Sequence, residues 1–214
     1  MADGPDASFA RGREDIPLLT QTIGQALAAT VDRFPDHEAL VVCLQDVRLT
    51  YRQLDDQVER LARALMATGL SAGDRLGIWS PNHAEWVLTQ LATARIGVVL
   101  VCVNPAYRTT ELTYALRQSG CRALIAASTF KTSDYVAMVD EVRDQLPDLD
   151  WVAYLDTDDW GELLARADAI SPAALASREA QLSATDPINI QFTSGTTGLP
   201  KGATLTHRNI LNNG

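Results

Sequence analysis

The chain has 214 residues, 46% of them hydrophobic and 21% charged, with a formal net charge of −9. That composition suits a globular protein with a buried core and excludes fibrous and wholly disordered classes. Acidity spread along the sequence would repel a phosphate backbone, so no nucleic acid partner is expected, and an anionic membrane surface is disfavoured for the same reason. The first residues, MADGPDASFARGRED, contain no apolar core of signal-peptide length, and the longest apolar run, IGVVLVCV at 96–103, is too short to span a bilayer. No transmembrane segment is expected, and the expected location is cytoplasmic.

After a polar lead at 1–19, the spacing predicts a helix over 22–34 that ends before Pro35. EALVVCL and VRLTY read as two strands joined at Gln45 and Asp46. Thr50 and Gln53 form a Thr-x-x-Gln capping box, Leu54, Val58, Leu61 and Leu65 recur at helical spacing, and Gly69 stands where a left-handed residue would close the last turn. RLGIWS at 75–80 is a strand; Pro81 and a cap at Asn82 introduce a helix that Gly97 ends. VVLVCV is apolar on both faces, as a parallel strand covered by helices on each side would be. A helix over 110–119 ending at Gly120, a strand RALIAA, a helix over 133–145 and a strand WVAYL continue the plan. From 158 to 186 the segments are short, Ala-rich and polar, and are expected to be a connector rather than core. INIQF is then a strand, ATLTH another, and His207 opens a helix. This alternation predicts an α/β fold with a doubly wound, mostly parallel sheet and helices on both faces.

Cys43, Cys102 and Cys121 each sit in an apolar stretch without a Cys-x-x-Cys pair, and are expected to be buried reduced thiols. Trp79, Trp86, Trp151 and Trp160 read as core or partly buried aromatics, and His37 and His83 as structural or exposed.

The segment QFTSGTTGLPKG at 191–202 leaves the strand INIQF directly. Gly195, Gly198 and Gly202 among Thr193, Ser194, Thr196 and Thr197 offer backbone N–H groups and hydroxyl donors to an anion, and Lys201 adds a point charge suited to a terminal phosphate. The Gly-x-x-x-x-Gly-Lys-Ser/Thr loop does not fit, because Lys201 lies between Pro200 and Gly202, and there is no Gly-x-Gly-x-x-Gly. A flexible surface linker is the alternative, but a linker needs neither a Pro-Lys-Gly ending nor a place at the carboxyl end of an apolar strand.

FTSGTTGLPKG resembles the phosphate-binding signature of the adenylate-forming (AMP-binding) superfamily: acyl-CoA synthetases, luciferases and the adenylation domains of peptide synthetases. LTYRQL at 49–54 resembles the first core motif of that family and ARIGVVLVCVNP at 94–105 the second, although Val101-Cys102-Val103-Asn104-Pro105 stands where many members carry a variant of Val-Pro-Ile-Asp-Pro. The run DPINIQFTSGTTGLPKGATLTHRNILNNG is most similar to medium-chain acyl-CoA ligases of the acyl-CoA synthetase member-2 type and their bacterial relatives. The resemblance implies an acid-thiol ligase in which a fatty-acid carboxylate attacks the α-phosphate of Mg-ATP, pyrophosphate leaves, and the CoA thiol displaces AMP. Thr193, Ser194, Gly195, Thr196, Thr197, Gly198, Lys201 and Gly202 would then line the β- and γ-phosphates, and His207 matches a common family position just past the loop, where a capping or packing ring is the bland reading. The implied partners are small molecules, namely fatty acid, ATP and CoA as co-substrate.

Family members run for several hundred residues, so the chain is expected to be an amino-terminal fragment, inactive alone. Its expected parts are a first α/β sheet unit at about 20–157, a connector at 158–186, and at 187–214 the loop strand and the start of a second unit whose strands pair with sequence beyond Gly214. The resemblance places the adenylation lysine and the Mg-binding glutamate beyond Gly214 as well. Sharing the loop, a non-catalytic nucleotide-binding remnant, an aryl-CoA ligase and a peptide-synthetase domain are the alternatives.

Overall fold

Residues 16–193 and 200–213 are described by a computed structural model. Helix α1 (Ile23–Arg33) and helix α2 (Tyr51–Ala67) both start on a complete capping box, Thr22 with Gln25 and Thr50 with Gln53. Between them lies a hairpin of β1 (Glu38–Val42) and β2 (Val47–Thr50). Its turn is longer than the expected Gln45–Asp46 pair, because Cys43–Gln45 form a 3-10 turn and Asp46 takes a left-handed φ of 52°. Cys43 is thereby carried out to solvent, which corrects the expectation of a buried thiol. The turn also displaces the cap expected at Asn82. Helix α3 (Ala84–Ile96) has His83 at its cap without a side-chain bond, and the Gln45 side chain accepts from Ala84 N at 2.7 Å instead.

The main sheet has the order β10-β9-β4-β3-β5-β8. Strands β3 (Arg75–Trp79), β4 (Val99–Cys102), β5 (Cys121–Ala126), β8 (Trp151–Tyr154) and β9 (Pro187–Thr193) are parallel, and β10 (Lys201–Thr206) runs antiparallel along the edge of β9. The chain moves from β3 to β4 through α3, then crosses to β5 and β8 through α4 (Thr109–Ser119) and α5 (Tyr135–Val142), with a two-residue ladder of β6 (Thr129–Phe130) and β7 (Ser133–Asp134) before α5. It returns to β9 through α6 (Asp158–Ala165) and α7 (Pro172–Glu179). Right-handed crossovers in opposite directions place their helices on opposite faces. Accordingly Leu76, Ile78, Leu100, Ala123 and Ile125 face α2, α3, α6 and α7, whereas Trp79, Val101, Leu124 and Ala126 face α4 and α5. The doubly wound α/β architecture is the one the alternation predicts.

Two regions depart from expectation. Segment 158–186 is not a mere connector: Leu163 of α6 and Leu175 of α7 are buried in the core against α2 and α3. Arg95 of α3 bridges Asp55 of α2, at 3.0 Å, and Glu179 of α7, and Arg63 Nε donates to the Ile170 carbonyl at 2.7 Å. Strand β9 does not wait for partners outside the chain either. Leu100, Val101 and Cys102 of β4 pair with Asn189, Ile190 and Gln191, so 187–206 extends the sheet that 75–154 begins.

Candidate functional site

The carboxyl ends of β3, β4, β5, β8 and β9 lie along one edge of the sheet, where α/β folds place their ligands. Strand β9 delivers its last residue, Thr193, to that edge. Across the antiparallel ladder Thr193 pairs with Lys201, the first residue of β10, and Thr193 Oγ1 donates to the Lys201 carbonyl at 3.3 Å. The two ends of the Gly/Thr segment are thus held side by side, both exposed. Ser194, Gly195, Thr196, Thr197 and Gly198, expected to line the phosphates, lie outside the described residues.

Gly202 has a packing reason to be glycine. It pairs with Phe192, and a Cβ built on it would stand 3.0 Å from Ile190 Cγ2. His207 lies away from the loop mouth, at the far end of β10, and opens α8 (His207–Leu211) behind the cap Thr206. Its ring is fully buried; Nδ1 accepts from Ile23 N, the first N–H of α1, at 3.1 Å. Nε2 has no partner among the described residues. Burial holds the imidazole below its usual pKa, with Asp186 acting weakly in the other direction. This is the packing histidine, and it ties the start of the fold to its end. The tie is doubled by Asn212, which accepts from Leu19 N at 2.8 Å and donates to the Leu19 carbonyl at 2.9 Å, so the last residue of the polar lead is pinned.

Next to the loop strand, the segment after β4 is clamped by a pair of aromatics whose role the sequence does not show. Trp79 and Tyr135 stack with ring centroids 3.5 Å apart and planes 5° from parallel. Trp79 Nε1 donates to the Asn104 carbonyl at 3.1 Å, and the Tyr135 hydroxyl to the Pro105 carbonyl at 2.5 Å. Burial pushes the Tyr135 phenol up to about 12, so it stays a donor. Further along the edge, the Asp156 carboxylate accepts from Ser128 N at 2.8 Å and Ser128 Oγ at 2.6 Å. Burial would raise that carboxyl, and the two bonds, helped by the backbone N–H of Asp156 and by His83, outweigh it together to leave the group below its ordinary value. A groove of about 610 Å³ lies between α4 and α5, where Tyr114 of its lining meets Phe192 of β9 edge-on at 6.3 Å between ring centroids; Arg117 and Glu141 both line it, so it has no single sign to attract a phosphate.

The family model described as "AMP-binding enzyme" matches residues 27–214. The chain belongs to the AMP-binding enzyme family. It is 44% identical over 225 residues to "Medium-chain acyl-CoA ligase ACSF2, mitochondrial" of Rattus norvegicus, an alignment covering 96% of this chain and 37% of that protein. The chain therefore spans little more than a third of the length of this relative. Among solved structures, the "Mycobacterium tuberculosis fatty acyl CoA synthetase" superposes with a TM-score of 0.74 at 28% identity over 87% of this chain and 34% of that one. The inhibitor-bound N-terminal domain of FACL13 from Mycobacterium tuberculosis gives 0.75 at 30% identity, over 87% and 44%. The fold is that of the amino-terminal domains of adenylate-forming enzymes.

Proposed function

We propose that this chain carries the phosphate-binding part of an ATP-dependent fatty-acid CoA ligase, which makes an acyl adenylate and then acyl-CoA. The observation that supports it is the pairing of Thr193 with Lys201 at the carboxyl edge of the sheet, with a hydroxyl-rich glycine segment between them, in a member of the AMP-binding family. Thr193, Ser194, Gly195, Thr196, Thr197, Gly198, Lys201 and Gly202 would face the β- and γ-phosphates of Mg-ATP. As the carboxylate attacks the α-phosphate, negative charge gathers on the departing pyrophosphate, and donors already aimed at it lower the barrier. Lys201 supplies the one full positive charge of the segment 191–202. Magnesium would accompany the nucleotide. Among the described residues no group of three or more His, Cys, Asp or Glu is placed to hold a metal ion, and the chemistry assigned to the chain is that of its own donors. The acid proposed is a medium- to long-chain fatty acid, and the rat relative is named for medium chains.

The compartment proposed is the cytoplasm expected from the sequence; the rat relative is named mitochondrial, and cell fractionation distinguishes the two. Among the described residues no helix is long and apolar enough to cross a membrane.

The test supplies Mg-ATP, CoA and octanoate to the protein encoded by the gene that carries this chain, as wild type and as Lys201→Ala. Octanoyl-CoA from the wild type, slowed roughly a hundredfold by the substitution, is the expected result. Equal rates would remove Lys201 from the chemistry, and ATP turnover with an aryl acid alone would replace the fatty acid. Residues 1–214 by themselves are expected to make no thioester, because no positioned carboxylate meets the phosphate site.

A further inference from the structure

Strand β9 carries an unusual residue for the middle of a parallel sheet. Asn189 is fully buried between the sheet and α3, in register with Leu100 of β4. A buried amide without partners costs more than an apolar residue of the same shape. Asn189 is instead saturated. Its Nδ2 donates to Gln90 Oε1 of α3 at 2.9 Å and to Cys102 Sγ of β4 at 3.5 Å. Its Oδ1 accepts from Gln191 Nε2 at 2.9 Å. Cys102 is a soft, neutral neighbour there, because burial pushes its thiol up to about 11.

The direction of this relay matters. Side chains alternate along a strand, so Asn189, Gln191 and Thr193 share one face of β9, while Ile190 and Phe192 pack on the other towards Trp79 and α4. A line of amides runs from α3, through Asn189, to Gln191, two residues short of the place where the Gly/Thr segment departs. On this face the end of β9 carries only the exposed polar side chains Gln191 and Thr193, while Ile190 and Phe192 anchor the opposite face. Hydrogen bonds have a direction where apolar contacts do not, and they are the device available here to fix how β9 leaves the sheet. Val, Ile or Leu at position 189 would fill the space and leave Gln191 untied.

We propose that Asn189, held by Gln90, is a positioning residue: through Gln191 it fixes the end of β9 from which the phosphate segment springs. The inference rests on the phosphate-loop reading for its consequence in binding, but its local effect is measurable without any ligand. Amide hydrogen exchange of the 214-residue chain is compared for wild type, Asn189→Leu and Gln191→Met. The relay predicts exchange roughly fivefold faster at 191–193 and 201–203 in both variants, the loss of about one net hydrogen bond, with β3 and β5 unchanged. The double variant should be no faster than Asn189→Leu alone, since both substitutions break one connection. Unaltered exchange at 191–193, a uniform rise across the sheet, or additive effects would each overturn the proposal. Gln191→Met changes an exposed side chain, so it decides the matter if Asn189→Leu does not fold. A second readout is the affinity for Mg-ATP, expected to weaken in both variants. Should the wild type bind no Mg-ATP, the phosphate reading fails while the exchange result still decides what Asn189 does.

Discussion

His207 shows how one side chain can serve the fold from the far end of the strand that leaves the Gly/Thr segment. Its buried Nδ1 must be unprotonated to accept from Ile23 N, and burial lowers its pKa from the ordinary value. In the unfolded chain the ring takes up a proton near pH 6.5, before the folded chain does, so falling pH favours unfolding. Stability should therefore drop as pH falls from about 7 through the unfolded-chain value near 6.5, and His207→Gln, which keeps an acceptor but cannot titrate, should flatten that part of the curve. Denaturant midpoints across the range check it; an identical slope in the variant would clear His207 of the effect. Gly202 makes a second residue-scale prediction. Valine there crowds Ile190, whose Cγ2 stands 3.0 Å from the place of a Cβ, so Gly202→Val should cost about 1 kcal/mol of stability by urea unfolding. At this scale the sequence was an uneven guide. The pairing partners Thr193 and Lys201 can be singled out because they flank a motif that is local in sequence, and their part in phosphate binding is the proposal. Cys43, Asn189 and the true partner of His207 are not, since each depends on what a distant strand or turn brings alongside.

Among the elements, capping boxes and terminal glycines gave the most dependable signals. Thr22 with Gln25 and Thr50 with Gln53 start α1 and α2, and Gly97 and Gly120, at φ of 74° and 62°, end α3 and α4. These signals are local hydrogen bonds and backbone preferences, so neighbouring residues suffice to read them. Helices α6 and α7, in the segment expected to be a connector, are not legible for the opposite reason. Each spans eight residues and fully buries one large apolar side chain, Leu163 or Leu175, too little periodicity to register. Their hold comes from tertiary partners, Arg95 to Glu179 above all. If 172–179 is core, Leu175→Ala should cost about 2–5 kcal/mol, the range for truncating a buried leucine. A loss near zero in thermal or urea unfolding would return the segment to the status of a connector.

For the whole molecule, the alternation of strand and helix reveals the architecture but not the order of strands. Nothing in INIQF says that it will cross back over α6 and α7 to lie beside β4, because parallel neighbours share apolar character rather than a complementary code. That return places Thr193 and Lys201, which flank the Gly/Thr segment, on the same edge as the Asn104–Pro105 turn clamped by Trp79 and Tyr135. The central claim is that this chain holds the phosphate end of ATP and leaves the nucleoside to other parts of the enzyme. Competition binding tests it most directly: residues 1–214 are titrated with Mg-ATP, then challenged separately with magnesium pyrophosphate and with AMP, for wild type and Lys201→Ala. The account predicts that pyrophosphate displaces ATP, that AMP does not, and that Lys201→Ala weakens ATP and pyrophosphate alike. Displacement by AMP but not by pyrophosphate, or affinities indifferent to Lys201, would contradict it.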